Sequence, residues 1–255
     1  MHIARKRFGQ NFLQDTQYIR ACIEAIRPLP TDTLVEIGPG LGALTRPLLA
    51  LVPHLHVVEI DRDLIARFQQ TYPPTQLTVH AGDALEFDFA SLGHDLRIVG
   101  NLPYNISTPL LFHLAQFAAH IRDLHFMLQK EVVDRMAAAP STSAYGRLSV
   151  MLQYRFQILP LFDVPGSAFH PAPKVTSSFV RMLPLHPLPH IARDENLFSE
   201  IVSAAFSMRR KTLRNTLKAK LTQQDFQILG IDSGQRAENL GVADFVRITN
   251  YLHTL

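Results

Sequence analysis

The sequence predicts a Rossmann-like α/β domain, with a mostly parallel sheet and an antiparallel closing strand, followed by a small C-terminal all-helical domain. Three observations predict it. Five short apolar runs, Leu34–Ile37, Val57–Ile60, Leu77–Val79, Leu96–Val99 and Leu124–Leu128, alternate with helical segments near 42–51, 61–70 and 108–119. Such alternation is the signature of parallel strands joined by crossover helices. From about residue 156 the pattern changes to two strand-like stretches, FQILPLFDV and KVTSSFVRMLP, joined by the proline-rich PGSAFHPAP. After PLHPLPH (184–190), too rich in proline for a helix or strand interior, the remaining chain reads as helical. The expected domains are 1–185 and 186–255.

Each element has a local reason. Ile19, Cys22, Ile23 and Ile26 recur at helical spacing behind Asp15 or Thr16, either of which can cap an opening helix. The five apolar runs are short and nearly unbroken, as strands buried on both faces should be. In the second domain Leu213, Leu217 and Leu221 form an apolar row beside a basic row of Arg210, Arg214 and Lys218. Phe245, Ile248 and Leu252 mark a last helix.

Composition narrows the function classes. At 255 residues and 47% hydrophobic, the chain can bury one large core and one smaller one. The single cysteine, Cys22, excludes an internal disulfide. The start MHIARKRFGQNF carries no apolar export segment, and together these lead us to expect a cytoplasmic protein. No apolar run approaches the roughly 18 residues a membrane helix needs, so no membrane partner is expected. His54 with His56, and His186 with His190, lack companions at ligand spacing, so no metal is expected. No GxSxG element is present, and Cys22 falls on the apolar stripe of its helix. The expected state is a monomer.

The first strand runs into VEIGPGLGALT, where Gly38, Gly40 and Gly42 let the backbone turn tightly and approach a ligand. A glycine-rich turn without a ligand is equally common. Glu59 ends the second strand 21 positions after Gly38, near the roughly 20-residue offset at which an acidic side chain meets a ribose hydroxyl. The glycines are spaced GxGxG rather than GxGxxG, with a proline inside and Glu36 just upstream. That suits S-adenosyl-L-methionine, which has no pyrophosphate to seat on a helix N-terminus. Asp83, in HAGDAL after the third strand, is placed either to accept from an adenine amino group or to cap a turn.

The fourth strand ends in Asn101-Leu102-Pro103-Tyr104. The exocyclic amine of adenine is a poor nucleophile because its lone pair is delocalised into the ring. Acceptors on its N–H groups, the Asn101 side-chain oxygen and the Leu102 carbonyl, would turn that lone pair outward by positioning rather than base catalysis. Pro103 would fix the loop and Tyr104 offer a face for the base. A strand-terminating turn with a core tyrosine is the plainer alternative. Phe169, in FHPAPKV, either closes over the far face of an everted adenine or is a buried hairpin phenylalanine. Arg5, Lys6 and Arg7, and the run from Arg209 to Lys220, are candidate phosphate contacts. In that run Arg209, Arg210, Lys211, Arg214, Lys218 and Lys220 stand without one acidic residue. Otherwise they form a solvated helix face.

RKRFGQNFL (5–13), VEIGPGLGALT (35–45), GNLPYNIST (100–108), YGRLSVM (145–151), FHPAPKVTSS (169–178) and AFSMRRKTLRNTL (205–217) together resemble the ribosomal RNA adenine N6,N6-dimethyltransferase family, in order and over nearly the whole chain. The resemblance implies a class I S-adenosylmethionine-dependent methyltransferase sheet. It implies dimethylation of two adjacent adenosines near the 3' end of 16S ribosomal RNA in the small ribosomal subunit, as part of ribosome biogenesis. It also implies that Asn11, Leu13, Gly38, Glu59, Asp83 and Asn101 line the cofactor pocket, and that the second domain grips RNA. Arg147 and Lys174 are further RNA candidates, although exposed basic residues usually only solvate a face. The related group that methylates 23S ribosomal RNA shares the glycine loop and an NLPY-like motif. A small-subunit assembly factor with secondary methylation is the rival from another class.

Overall fold

The computed structural model describes residues 10–254. Arg5, Lys6 and Arg7 lie outside the described residues. The main sheet has seven strands: β1 (Leu34–Ile37), β2 (Leu55–Glu59), β3 (Leu77–Ala81), β4 (Leu96–Asn101), β5 (Ile121–Gln129), β6 (Phe156–Val164) and β7 (Ser177–Pro184). Their spatial order is 3-2-1-4-5-7-6. β1 to β5 run parallel, and β7 joins β5 antiparallel, with Gln129 opposite Ser177. β1 is buried at all four positions, the pattern of a central parallel strand covered on both faces.

Helices α1 (Thr16–Ile26), α2 (Thr45–Leu49), α3 (Arg62–Thr71) and α4 (Ser107–Ala115) punctuate the parallel strands. The Asp15 carboxylate, not Thr16, caps α1, accepting from the Gln17 N–H at 2.8 Å. A two-residue antiparallel ribbon stands apart from the sheet: Phe12 pairs with His170 and Leu13 with Phe169. Leu13 and Phe169 both enter the first core, with Leu34, Leu48, Val57, Phe68 and Phe179.

The strand order reverses between β1 and β4, so their carboxyl ends diverge and open a crevice there. The opposite edge of the sheet is closed by ions. Arg97, near the start of β4, donates to Asp32 at 2.7 Å and to both oxygens of Asp123 at 2.9 and 3.0 Å. It also reaches the carbonyls of Ile26 and Arg27. Arg122 pairs with Asp32 at 2.7 Å and with Asp95, and Arg181 donates to Asp123 at 3.0 Å. His125, fully buried beside this group, makes no hydrogen bond through either ring nitrogen, with Asp123 Oδ1 3.7 Å from Nδ1, and burial holds its pKa down to about 4.

The chain divides into two compact units, one comprising residues to Val133 with Ile158–Pro184, the other Asp134–Gln157 with Leu185–Leu255. Residues 134–157, expected in the first domain, therefore group with the helical unit. The reason is packing. Tyr145, Val150 and Tyr154 share a core with Phe198, Ile201, Leu213, Phe226 and Phe245, and each such burial is worth about 1.5–3 kcal/mol. That unit holds the second half of α5 (Lys130–Ala137), then α6 (Arg147–Gln153), α7 (Glu195–Ala205), α8 (Leu213–Thr216), α9 (Gln223–Leu229) and α10 (Val242–Leu252). The basic run is not the long helix face its leucine spacing suggested: only Leu213–Thr216 is helical, within turns. Among the described residues no helix is long and apolar enough to cross a membrane, and no group of three or more His, Cys, Asp or Glu could hold a metal.

Candidate active site

Within the first unit, the carboxyl ends of β1, β2 and β4 surround a cavity of about 300 Å³. Asn11, Leu13, Gly38, Gly40, Glu59, Asp83, Asn101, Leu102, Pro103 and Tyr104, all expected at the site, line it together.

The floor is the turn after β1. Gly38 and Gly40 have φ of +62° and +56°, a region that side chains with a Cβ avoid. A Cβ on Gly38 would meet nothing within 4 Å, so its bare backbone faces open cavity, whereas one on Gly40 would come within 2.9 Å of the Phe12 ring. Gly100 allows β4 to pass β1, since a Cβ there would lie 2.6 Å from the Ile37 carbonyl.

Three carboxylates line the cavity, and among the described lining residues there is no Lys, Arg or His. Glu59 Oε1 accepts the Ile60 and Asp61 N–H groups, both at 2.8 Å. Burial nevertheless raises its pKa. Glu36 is fully enclosed. Its Oε2 accepts the Thr45 hydroxyl at 2.6 Å, while burial, aided by the Glu59 charge, pushes its pKa up to about 7. Asp83 Oδ1 accepts the Leu85 N–H at 2.9 Å, so the turn-capping alternative is realised, and its second oxygen has no described donor.

This donor-poor, acceptor-rich wall fits S-adenosylmethionine. A ribose diol, an adenine amino group and a cationic sulfonium each offer a donor or positive charge to a carboxylate. A dinucleotide pyrophosphate would be repelled by the same wall.

The NLPY loop is held by remote partners. Asn101 Nδ2 donates to the Asn11 carbonyl at 2.8 Å, leaving Oδ1 without a described donor. The Leu102 N–H donates to the Met127 carbonyl at 3.2 Å. The Tyr104 hydroxyl lies 2.6 Å from Ser177 Oγ, and burial raises its pKa.

Other expected residues fall elsewhere. Phe169 is 4% exposed, belongs to the first core and does not line the cavity. It takes the buried-hairpin placement because Leu13 pairs with it. Lys174 is exposed on the connection before β7, and Arg147 is exposed at the first position of α6. Arg209, Arg210, Lys211, Arg214 and Lys218 are exposed in the second unit. The charges missing from their own stretch are partly supplied from afar, Glu238 approaching Arg209 at 3.5 Å and Glu200 approaching Lys220 at 3.1 Å. Arg210, Lys211, Arg214 and Lys218 make no ion pair with the described residues.

Sequence reasoning missed Thr45, Ile60 and Ser177. Ile60 belongs to an apolar run whose strand ends at Glu59, so it stands 46% exposed on the cavity wall with no sequence signal to mark it. Thr45 and Ser177 carried none, because their partners are fixed by the fold.

A family model described as ribosomal RNA adenine dimethylase matches residues 1–254. The chain is 66% identical over 251 residues to "Ribosomal RNA small subunit methyltransferase A" of Aromatoleum aromaticum, covering 98% of this chain and 95% of that protein. It is 63% identical to the protein of the same name from Thiobacillus denitrificans, over the whole of both. Among solved structures it is similar to a dimethyladenosine transferase from Plasmodium falciparum, with 25% identity, a TM-score of 0.78, and coverage of 95% of this chain and 98% of that one. The 23S rRNA methyltransferase ErmE shares the fold at 22% identity and a TM-score of 0.72, over 95% of this chain and 100% of that one.

Proposed function

The chain belongs to the ribosomal RNA adenine dimethylase family, and from that premise we propose that its cavity presents an adenine amine to a methyl donor twice in succession. The enzyme is an S-adenosylmethionine-dependent methyltransferase that dimethylates N6 of adenosine in 16S ribosomal RNA of the small subunit. Its two targets are adjacent adenosines near the 3' end, the reaction belongs to ribosome biogenesis, and it takes place in the cytoplasm.

Glu59, Asp83 and the Gly38–Gly40 backbone would hold the cofactor's nucleoside, with Leu13 and Asn11 on the facing wall. When bound, S-adenosylmethionine supplies an electrophilic methyl group on a sulfonium. Asn101 Oδ1 and the Leu102 carbonyl accept the two amine N–H groups and draw the nitrogen lone pair out of the purine plane. Tyr104 lends its ring as a stacking face, worth about 1–3 kcal/mol per base. After one transfer a single N–H remains, so one acceptor suffices to aim the amine for the second. Because the amine is turned rather than deprotonated beforehand, the loop needs geometry and fixed dipoles, not a strong base.

The observation that carries this reading is the Asn101 amide: one Nδ2 hydrogen is held by the Asn11 carbonyl at 2.8 Å, which fixes the orientation of the amide and leaves Oδ1 as an acceptor without a described donor. Arg210, Lys211, Arg214 and Lys218, exposed and without an ion pair among the described residues, support RNA phosphate contact by the second unit. The test is incubation with labelled S-adenosylmethionine and undermethylated small subunits, followed by nucleoside analysis. N6,N6-dimethyladenosine is expected, and its absence would refute the proposal.

A further inference from the structure

Tyr104 is half-buried on the cavity wall, and its hydroxyl lies 2.6 Å from Ser177 Oγ. Ser177 is fully buried at the first position of β7, in register with Gln129 of β5. The Lys130 N–H donates to the Thr176 carbonyl at 2.9 Å, fastening the backbone just before it. At its other end, the Tyr104 carbonyl accepts the Ser107 hydroxyl at 3.0 Å. A tyrosine ring swings on two side-chain torsions. With the backbone held by Ser107 and the far hydroxyl held by Ser177, both torsions are fixed.

We propose that Ser177 is a positioning residue for methyl transfer: by anchoring the Tyr104 hydroxyl it sets the plane of the ring, and through it the angle at which the adenine amine meets the methyl donor. This rests on reading Tyr104 as the stacking face for the target base. A freed ring still offers a face, but it samples orientations in which the amine is misaligned. The loss therefore falls on kcat, with cofactor affinity and KM little changed. A hydrogen bond serving only stability would lower the melting temperature and leave turnover per folded molecule intact.

A double-mutant cycle tests it. Wild type, Ser177→Ala, Tyr104→Phe and the double variant are assayed on undermethylated small subunits at saturating S-adenosylmethionine, with cofactor Kd from calorimetry and melting temperatures alongside. Each single variant should lose about tenfold in kcat at unchanged cofactor Kd. The double variant should lose no more than either single, because both remove the same interaction. Multiplying losses, or wild-type kcat in Tyr104→Phe, would overturn the proposal. If Ser177→Ala fails to fold, Tyr104→Phe decides alone, since it cuts the same bond from the cavity side. Dimethyladenosine formation by wild type in the same assay keeps a failure here distinct from a failure of the broader reading.

Discussion

The two edges of the seven-stranded sheet carry buried polar groups in opposite ways. At the amino edge, Arg97 is enclosed by two carboxylates and two backbone carbonyls, so its charge is answered within the protein. At the carboxyl edge, Asn101 and Asp83 on the cavity wall are each half-answered, with one side-chain atom tied to backbone and the other oxygen without a described donor, and Glu59 is held by backbone N–H groups alone, with no counter-charge. The difference separates structure from chemistry. A polar group that the fold satisfies holds the fold, whereas one left deliberately short of partners is held for something else.

The largest expected effect breaks the first edge. Arg97→Met leaves Asp32 and Asp123 buried without their main counter-charge, which should cost about 3–5 kcal/mol. Chemical denaturation should show that loss, while activity per folded molecule stays near wild type. Breaking the second edge should do the reverse. Asn101→Ala should lower kcat by about 10²–10³ with cofactor binding in calorimetry largely retained and little change in melting temperature. An unstable but active Asn101→Ala would erase the distinction between the edges.

Glu36 sharpens the comparison because it belongs to both kinds. Its folded pKa, about 7, lies above its ordinary 4.5, so the folded protein holds the proton more tightly than the unfolded chain. Its contribution to stability is therefore lost as pH rises from about 4.5 to about 7, on the order of 3 kcal/mol. Glu36→Gln keeps an acceptor for Thr45 and removes that loss. Ligand-free melts of the variant should exceed wild type at pH 8 and match it near pH 5. The smallest effect extends the contrast to exposed cations. Reversing Arg210 and Arg214 to Glu should raise the apparent KM for ribosomal particles about tenfold at low salt, with the difference shrinking as salt screens the phosphates. A salt-independent change would return these arginines to the role of a solvated face.

What was legible in the sequence was what is local. Strand runs such as Leu34–Ile37, the positive-φ glycines and the acidic residues at strand ends all announce themselves within a few positions, and topology then gathers them at one edge. What was not legible depends on distant partners. Asn101 is tied to Asn11, 90 positions away, and Tyr104 to Ser177, 73 away, and no spacing rule reports such pairs. The sequence left two placements open for Phe169 for the same reason, since its pairing with the distant Leu13 is a property of the fold. The leucine row at 213, 217 and 221 does mark a buried face, but all three side chains reach the core from one short helix and the turns around it. Helical spacing alone could not distinguish those cases.

The ribbon joining Phe12–Leu13 to Phe169–His170 has one further implication. With only two pairs, it has no slack. A slip by one residue would turn Leu13 out of the core and swing the Asn11 carbonyl off the Asn101 amide. The stretch PGSAFHPAP thus behaves as a spacer of fixed length: one inserted residue ahead of Phe169 would misaim an amide at the far end of the linkage.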